Sequence, residues 1–349
     1  MAYAVTHEDV LAAHARIAHL IHCTPVMTCS ALSAMASAAA QRPLTLALKC
    51  ELFQRSGSFK FRGATNAVQS LPAAACAAGV CTHSSGNHAQ ALALAASQRP
   101  CAAHIVMPSN APAIKRAATA GYGARVVECA PTQAAREAAV LEVAARTGAA
   151  VIHPSEHPHV IAGQGTLALE LLAQASEALG APPEGGCPAL DAVIVPVGGG
   201  GLISGVALAL QGSGVLVVGA EPAAAADAAR SKAAGERLGH PPGPPPDTIA
   251  DGLKTTLGPH TWPIVRDLVA AIVTVEEAQI RAALRHVYER AKLAIEPSAA
   301  VGVAVALSSD FARVLRERLP EGARDSGRAL RVGIVLCGGN ADVDALFVA

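Results

Sequence analysis

Lys60 is the residue in this 349-residue chain whose surroundings point most directly to covalent chemistry. It is one of six lysines and lies between Phe59 and Phe61 in the segment 50–64, CELFQRSGSFKFRGA, at the start of a predicted helix. Aromatic neighbours remove water from an ammonium and favour the neutral amine, which attacks aldehydes to form a Schiff base. The alternative is a structural lysine whose stem covers apolar surface while its tip reaches water.

A second polar loop follows a predicted strand in the segment 80–92, VCTHSSGNHAQAL. Ser84, Ser85, Asn87 and His88 lie where this strand passes into a helix. Helix N-termini preceded by small hydroxyl residues present free N–H groups, which bind carboxylates and phosphates. A Ser-Gly-Asn turn also occurs as a simple helix cap, so the motif alone leaves both interpretations open.

Two further loops are rich in glycine. The first, VPVGGGGLISG at 195–205, contains four consecutive glycines, whose backbone can approach an anion closely and hold a phosphate without a lysine. It matches neither GxGxxG nor the P-loop, so it predicts the phosphate site of a mononucleotide-type cofactor; a merely permissive turn is the alternative. The second, CGGN at 337–340, ends the last predicted strand, where Cys337 either faces the same crevice or is an ordinary buried thiol.

The elements that position these loops follow from the alternation of short apolar runs with Ala-rich amphipathic stretches, the pattern of βα units. Strands are predicted at 45–49, 80–82, 103–106, 125–128, 150–152, 192–195, 216–220 and 331–336. Helices are predicted at 61–69, 89–97, 111–120, 132–147, 163–179, 202–210 and 276–291, the last with Thr274 as N-cap. We expect a small mobile domain at 75–155, inserted into a large domain formed by 1–74 and 156–349.

The composition excludes several other classes of protein. With 27 Lys and Arg against 27 Asp and Glu, the chain has no basic field for nucleic acid. Nine cysteines without a CxxC pair argue against a disulfide framework and predict a reduced, cytoplasmic protein.

Glu8 and Asp9 stand where a signal peptide would be basic and apolar, so no signal peptide is expected. The uncharged stretch 192–220 has the length of a membrane span, but its eight glycines and Pro196 favour strand, loop, helix and strand, so no membrane partner is expected.

Together these motifs resemble the serine/threonine dehydratase and serine racemase family, pyridoxal-phosphate enzymes of the tryptophan-synthase β fold (fold type II). The resemblance rests on SGSFKFRGA, HSSGNHAQ, VGGGGL, IEPSA at 295–299 and CGGN. It extends across nearly the whole chain through VIAGQGTLALE at 160–170 and TIADGLKTTLG at 248–258. It implies an α/β fold with a parallel-rich sheet in the large domain and a smaller inserted α/β domain. We also expect a homodimer.

The resemblance implies that Lys60 binds pyridoxal 5′-phosphate covalently and then acts as the base on one face of the substrate Cα, with Ser85 on the opposite face. It counts Phe59 among the cofactor contacts and assigns the ring hydroxyl to Asn87 and the pyridine nitrogen to Cys337. It assigns the phosphate to the backbone amides of Gly198, Gly199, Gly200, Gly201 and Leu202. The substrate carboxylate is assigned to Ser84, Ser85, Asn87 and His88, with Arg136 as a weaker candidate.

Two further sites are implied only by the resemblance. A Mg²⁺ or Ca²⁺ site would be formed by the carboxylates of Glu221 and Asp227 with the Ala225 carbonyl, and hard cations prefer such oxygen ligands. Without the resemblance, these carboxylates would be expected in water. In animal serine racemases ATP binds between subunits as an activator, and the matching residues here are Gln90, Lys115, Tyr122, Lys292, Glu296 and Asn340.

His153, His157 and His159 are expected to be loop residues and not zinc ligands.

The expected activity follows from the two bases, because bases on opposite faces permit inversion at Cα and a single base does not. We expect interconversion of L- and D-serine, with elimination of water from serine to pyruvate and ammonia as a side reaction. The alternatives are a catabolic L-serine/L-threonine dehydratase, an aspartate racemase, and a non-catalytic protein that binds cofactor or amino acid. Nine residues follow Asn340, so no regulatory tail is expected. Cys337, Ser155 and Thr255 depart from the residues common in serine racemases. Ser155 and Thr255 match positions near the substrate and bear on amino-acid preference and on the balance of racemisation to elimination.

Overall fold

The computed structural model describes residues 3–111, 113–180, 188–325 and 327–342. Its strands are β1 (Val26–Thr28), β2 (Leu44–Cys50), β3 (Val80–His83), β4 (Ala103–Pro108), β5 (Arg125–Cys129), β6 (Ala150–Val151), β7 (Ala192–Pro196), β8 (Leu216–Pro222), β9 (Ala271–Val275) and β10 (Leu330–Leu336). Its helices are α1 (His7–Ile17), α2 (Ser30–Ala40), α3 (Lys60–Gln69), α4 (Ala73–Ala78), α5 (Asn87–Ser97), α6 (Ala113–Gly121), α7 (Gln133–Thr147), α8 (Pro158–Ala178), α9 (Gly201–Ala209), α10 (Asp227–Ala234), α11 (Thr261–Leu268), α12 (Glu277–His286), α13 (Pro297–Ala306), α14 (Ser309–Arg318) and α15 (Glu321–Arg324).

The larger of two sheets has six strands in the order β1-β2-β10-β7-β8-β9. All neighbouring strands are parallel except β1 and β2, which are antiparallel. Every residue of β7 is buried, and its sequence AVIVP is apolar throughout. A continuous apolar run is what a parallel strand needs when helices cover both faces of the sheet.

Helices α8 and α13 cover opposite faces of this sheet. A Cβ placed on Gly333 of β10 would meet Leu171 of α8, whereas a Cβ on Gly302 of α13 would meet Ile334, the next residue of β10. Because successive strand residues point to opposite faces, α8 and α13 lie on different sides. Both faces of the sheet are therefore covered in the described structure, and the strand ends are the expected place for a ligand.

The smaller sheet has four parallel strands in the order β5-β4-β3-β6. All four strands come from residues 80–151, within the segment expected to form the small domain. Helix α3 packs against α5, which follows β3, and also against α8 beside the large sheet. The domain boundaries at 75 and 155 and the mobility of the small domain stay predictions.

The predicted strands are all present, with bounds that shift by one or two residues. The stretch 192–220 folds as β7, α9 and β8, which confirms the strand, loop, helix and strand interpretation. Thr274 as N-cap is wrong, because it lies within β9 and Glu276 caps α12 through a reciprocal pair of hydrogen bonds with Gln279. His159 is also not a loop residue but belongs to the first turn of α8.

No single helix in the described residues is both long and apolar enough to cross a membrane. Taken together, α13 and α14 have the length and composition of a membrane-spanning segment, but they meet at a bend of 61°.

Candidate active site

Lys60 opens α3, and its amine has a partly dehydrated environment. Nζ donates to the Pro154 carbonyl at 2.8 Å and lies 5.0 Å from the centre of the Phe59 ring. Burial lowers the pKa of Lys60 to about 8, while the nearby Cys337 and Glu296 act in the opposite direction. The neutral amine that attacks an aldehyde is therefore accessible near neutral pH.

The loop between β3 and α5 carries the two serines. Ser84 and Ser85 are half-buried, and Ser84 Oγ accepts from the Gly86 amide at 3.3 Å. Gly86 is the N-cap residue of α5, and no side-chain hydrogen bond caps that helix. The simple helix-cap alternative therefore does not explain the serines, and the first N–H groups of α5 suit an anion.

His88 lies buried in the first turn of α5 as a neutral imidazole. Its Nε2 lies 3.1 Å from the Ile152 carbonyl, so this nitrogen carries the proton and donates. Burial and the nearby Lys60 hold the pKa of His88 well below its usual value. Nδ1 is then an acceptor, and it has no hydrogen-bond partner among the described residues. The His88 backbone amide, and not its ring, is thus the group that suits a substrate carboxylate.

Asn87 connects the loop to the last strand of the large sheet. Its Nδ2 donates to both carboxylate oxygens of Glu296 at 3.0 Å, and its Oδ1 accepts from Asn340 at 2.9 Å. Asn340 also donates to the Ser56 carbonyl at 2.7 Å. Asn87 is thereby fixed in orientation before any ligand binds.

Glu296 is a buried carboxylate beside Cys337, at the same end of the large sheet. The Cys337 sulfur lies 4.0 Å from Glu296 Oε1. Burial raises the pKa of Glu296 to about 7, against the lowering effect of the Asn87 hydrogen bond. Burial and Glu296 together raise the pKa of Cys337 well above its usual value, so the sulfur stays a thiol and offers only a weak hydrogen bond.

The glycine loop between β7 and α9 has no room for side chains. A Cβ on any of Gly198, Gly199, Gly200 or Gly201 would come within 2.5 to 3.0 Å of a neighbouring atom. Gly200 also has a φ of +79° and precedes α9, whose N-terminus no side chain caps. The loop is therefore a tightly packed helix entrance and not a permissive turn, and its amides suit a phosphate.

Two hydroxyl groups that the sequence did not assign to the phosphate adjoin this loop. Ser155 Oγ would be 2.5 Å from a Cβ on Gly199, and Thr255 Oγ1 would be 3.2 Å from a Cβ on Gly198. Neither residue stands in a recognisable local phosphate motif, so the sequence carried no signal for them. Both hydroxyls add hydrogen-bonding capacity at the anion cradle.

Arg136 lies on α7, close enough to His83 to lower the pKa of that histidine alongside the larger effect of burial. Its Nε is buried and has no hydrogen-bond partner in the part of the chain that the structure describes. A buried guanidinium N–H without an acceptor is costly. An anionic substrate group would supply that acceptor, which keeps Arg136 a candidate for substrate binding.

Glu221 and Asp227, the predicted metal ligands, are fully buried together with Ala225. Glu221 accepts from the amides of Ala228 and Ala229, both at 2.9 Å. Burial raises the pKa of Glu221 to about 8 and also raises that of Asp227. Asp227 Oδ1 has no hydrogen-bond partner among the described residues and lies 3.9 Å from His240 Nε2, which leaves this oxygen available to a cation.

The six residues expected at an ATP site are only partly assembled. Glu296 and Asn340 both bond to Asn87, and Lys115 pairs with Asp251 at 2.9 Å within electrostatic range of Glu296. Gln90 is buried on α5, Tyr122 is half-buried after α6, and Lys292 donates to the Glu289 carbonyl.

Sequence reasoning missed Ser56, whose carbonyl accepts from Asn340, and the adjacent Arg55. Both lie in the loop before α3, and the buried Arg55 Nε and Ser56 Oγ have no partners among the described residues. Ser56 has a φ of +59°, a conformation that serine adopts rarely.

The residues present fit pyridoxal 5′-phosphate. An uncapped helix entrance lined by glycine would take the phosphate, and the Lys60 amine would take the aldehyde. The Cys337 thiol and the ordered Asn87 amide lie near that amine, as electrostatic coupling and the shared contact with Glu296 show.

Comparison with known proteins supports the same assignment. The model of the family described as "Pyridoxal-phosphate dependent enzyme" matches residues 17–338. Serine racemase of Arabidopsis thaliana is 44% identical over 347 residues, which cover 99% of this chain and 96% of that protein.

Solved structures are similar over equally long stretches. Maize serine racemase has a TM-score of 0.87 at 41% identity and covers 99% of this chain and 96% of that one. A threonine deaminase from T.th. has a TM-score of 0.82 at 39% identity, covering 96% of this chain and 98% of that one. The chain therefore belongs to the family of pyridoxal-phosphate-dependent enzymes, with the α/β architecture of fold type II.

Proposed function

We propose that this protein is a pyridoxal-phosphate-dependent serine racemase that also eliminates water from serine to give pyruvate and ammonia. The proposal rests on one observation, which is that similarity to a serine racemase extends over 99% of the chain. The presence of Lys60 and Ser85, the two residues to which the mechanism assigns the proton transfers, is consistent with it. Aspartate racemisation and binding without turnover remain the other candidates, and both are tested below.

The chain's own groups bind the substrate and move its protons. When bound, the cofactor supplies a sink for the electron pair left on the substrate Cα. Lys60 Nζ takes the proton from one face of Cα, and its lowered pKa of about 8 leaves enough neutral amine to do so. Ser85 Oγ delivers a proton to the other face. The free amides at the start of α5 hold the substrate carboxylate and so fix which bond faces Lys60.

A catabolic L-serine/L-threonine dehydratase is the second candidate. It needs only Lys60 on the L face, and the threonine deaminase from T.th. is nearly as similar in structure as the maize racemase. Ser85 distinguishes the two, because a hydroxyl on the opposite face serves inversion and is not needed for elimination.

Chiral chromatography combined with a pyruvate assay separates the candidates. L-Ser, D-Ser, L-Thr and L-Asp are each supplied with Mg²⁺, with and without ATP. D-serine formed from L-serine supports the racemase. Pyruvate without D-serine supports the dehydratase, D-aspartate formed from L-aspartate supports aspartate racemisation, and cofactor colour without turnover supports a binding protein.

The replacement Ser85→Ala tests the second face directly. It is expected to suppress interconversion while retaining some elimination of L-serine, because Lys60 is intact. Ser84→Ala is the matched control, since Ser84 Oγ bonds within the loop to Gly86. It should change KM without changing the ratio of the two reactions. Racemisation by Ser85→Ala at the rate of the wild type would remove Ser85 from the mechanism.

We also propose that Glu221, Asp227 and the Ala225 carbonyl bind Mg²⁺ or Ca²⁺. The support is a pair of buried carboxylates with raised pKa values, one oxygen of which has no hydrogen-bond partner in the described structure. Divalent cation should raise the unfolding temperature of the wild type, and Asp227→Asn should abolish that rise. Equal shifts in both proteins would place the cation elsewhere.

ATP activation is a further part of the proposal. Glu296 and Asn340 both contact Asn87, and Lys115 lies within electrostatic range of Glu296. Asn340 also donates to the carbonyl of Ser56, whose buried Oγ has no partner in the described residues. MgATP is expected to increase serine turnover, and Lys115→Ala should weaken that response. Unchanged turnover with MgATP would end this part of the proposal.

A homodimer in the cytoplasm completes the proposed setting. Each cysteine that the structure describes is a free thiol, as a reducing compartment would keep it. Light scattering of the purified holoenzyme measures its mass, and a mass of one chain would contradict the dimer.

A further inference from the structure

A buried network of four charges lies behind the helix that carries Lys60. Lys49, Arg62 and Glu51 are completely shielded from solvent, and Glu170 is 7% exposed. Two positive and two negative side chains leave the network neutral. None of these residues belongs to the cofactor or substrate assignments above.

Arg62 is the centre of the network and makes a forked pair with each carboxylate. Nε and Nη2 donate to the two oxygens of Glu51, both at 2.8 Å. Nη1 and Nη2 donate to the two oxygens of Glu170, both at 2.7 Å. Two forks at once fix the plane of the guanidinium in all directions, which one ammonium does not achieve.

The partners of Arg62 come from different parts of the fold. Glu51 follows β2, and Glu170 lies on α8, so Arg62 ties α3 to a strand end and to a helix. Lys49 joins the same network from β2, donating to Glu170 at 2.6 Å and to the Thr24 carbonyl at 2.8 Å. Lys49 contributes charge to the network, but Arg62 is the one of the four residues that lies on α3.

Arg62 follows Lys60 by two residues, which places their side chains about 200° apart around the helix axis. The network thus holds the back of α3, while Lys60 projects from the other side toward Pro154. Rotation of α3 about its own axis would displace the Lys60 amine. The forks oppose that rotation, together with the packing of α3 against α8 and α5.

Stability alone does not account for such a network. Replacing a buried ion network by apolar side chains of similar volume is often neutral or stabilising, so its presence calls for another role. We propose that Arg62 is a positioning residue for Lys60: its two forked ion pairs fix the rotation of α3 and thereby aim the Lys60 amine at the reacting carbon.

The test compares Arg62→Lys with Lys49→Gln. Arg62→Lys keeps the charge but loses both forks, whereas Lys49→Gln removes a charge from the same network and leaves both forks intact. Two rates are measured: recombination of the apoprotein with pyridoxal 5′-phosphate, followed by absorbance, and turnover of L-serine. Unfolding temperature is recorded for each variant.

Arg62→Lys is expected to lower kcat and the recombination rate by about 10- to 100-fold with KM within about twofold, as a small displacement of a reacting group does. Lys49→Gln should lower the unfolding temperature more and these rates less. Glu170→Gln keeps the shape of the side chain and weakens one fork, so its rates should lie between those of Arg62→Lys and Lys49→Gln. It replaces either of these variants if that variant does not fold.

Equal losses of rate in Arg62→Lys and Lys49→Gln would overturn the proposal, as would unchanged rates in Arg62→Lys. The turnover arm rests on the proposed function, but recombination requires no amino acid. A wild type inactive on serine would therefore contradict the proposed function while the recombination rates still decide the role of Arg62.

Discussion

The two sides of α3 differ in how they stabilise a positively charged lysine side chain. Behind the helix, the Lys49 ammonium has three acceptors, including the Glu170 carboxylate at 2.6 Å. In front of it, the Lys60 ammonium has the Pro154 carbonyl at 2.8 Å, and its pKa falls to about 8. Two lysines 11 residues apart therefore differ in reactivity because of what surrounds them.

The contrast extends to the hydrogen bonds around the two lysines, although Gln164 Nε2, where α8 packs on Gly63 of α3, is also buried without a partner among the described residues. Each polar hydrogen of the Arg62 guanidinium finds an acceptor, and the side chain is closed to water. In front of α3, His88 Nδ1 and Ser58 Oγ are buried without partners among the described residues. Unused hydrogen-bonding capacity is costly in an interior and is expected where a ligand binds.

The largest effect is expected from Lys60→Ala. It removes the amine that links the cofactor and moves the proton, so turnover should fall at least about 1,000-fold. The yellow colour of the lysine-linked cofactor should disappear from the absorbance spectrum. Lys115→Ala is the control and should keep the colour. Colour that survives unchanged in Lys60→Ala would contradict the assignment of the reactive lysine.

The next largest effect is expected from Gly200→Ala at the front of the site. A Cβ there would lie 2.6 Å from Leu257 Cδ2, and φ is +79°, so the loop must shift and cofactor affinity should fall about tenfold or more. Gly214→Ala is a matched control, because its φ is +77° but no atom lies within 4 Å of the added carbon. Equilibrium dialysis of the cofactor measures both, and equal affinities would show that the tight packing is irrelevant.

Glu296→Gln tests the carboxylate that is buried beside the Lys60 amine and makes no direct ion pair in the described structure. Its pKa rises from 4.5 to about 7 on folding, so the folded state holds a proton that the unfolded state releases. Stability should therefore fall as pH rises from about 4.5 to 7, by up to about 3 kcal/mol from this group.

Urea unfolding at a series of pH values measures that slope. Buried histidines such as His153 and His157, whose pKa values fall to about 4, make stability rise over the same range, so the difference from the wild type isolates Glu296. Between pH 4.5 and 7, Glu296→Gln should lose less stability, or gain more, than the wild type, whereas replacement of the exposed Glu289 by Gln should leave the pH dependence unchanged. A slope identical in the wild type and Glu296→Gln would mean that Glu296 ionises normally in the fold.

The smallest effect is expected from Arg313→Ala. Arg313 pairs with Asp310 at 2.9 Å on the exposed surface of α14, where water screens the attraction. Its loss should change the free energy of unfolding by less than about 0.5 kcal/mol. A larger loss would remove the distinction between exposed pairs and the buried network behind α3.

Local patterns in the sequence predicted the parts of the molecule that depend on neighbours in the chain. The glycine run, the β3–α5 loop and Lys60 at the start of α3 all lie where the strand and helix periodicity placed them. The short edge strand β1 was missed because three residues carry no periodicity, and β9 because its pattern merges into α12.

Contacts between distant residues were not predictable. Arg62 and Glu170 are 108 residues apart, and Asn87 and Glu296 are 209 apart, so no local pattern relates them. Resemblance placed Glu296 at a nucleotide site, whereas the structure also makes it the partner of Asn87 and Cys337. Burial and charge depend on the assembled fold, and only the fold reveals which carboxylate faces which amide.

The crossing of α3 and α8 has a consequence for the order of events during turnover. Gly63 and Gly163 bring the two backbones so close that a Cβ on Gly163 would come within 2.7 Å of Gly63 Cα. Lys60 is thus held on the large sheet's side through α8, while α3 also packs against α5, the helix that Ser85 precedes. A swing between the two sheets would separate the two residues proposed to carry protons only if the contact between α3 and α5 opened. Under the proposed mechanism, inversion would then need that contact closed, whereas loss of water needs Lys60 alone.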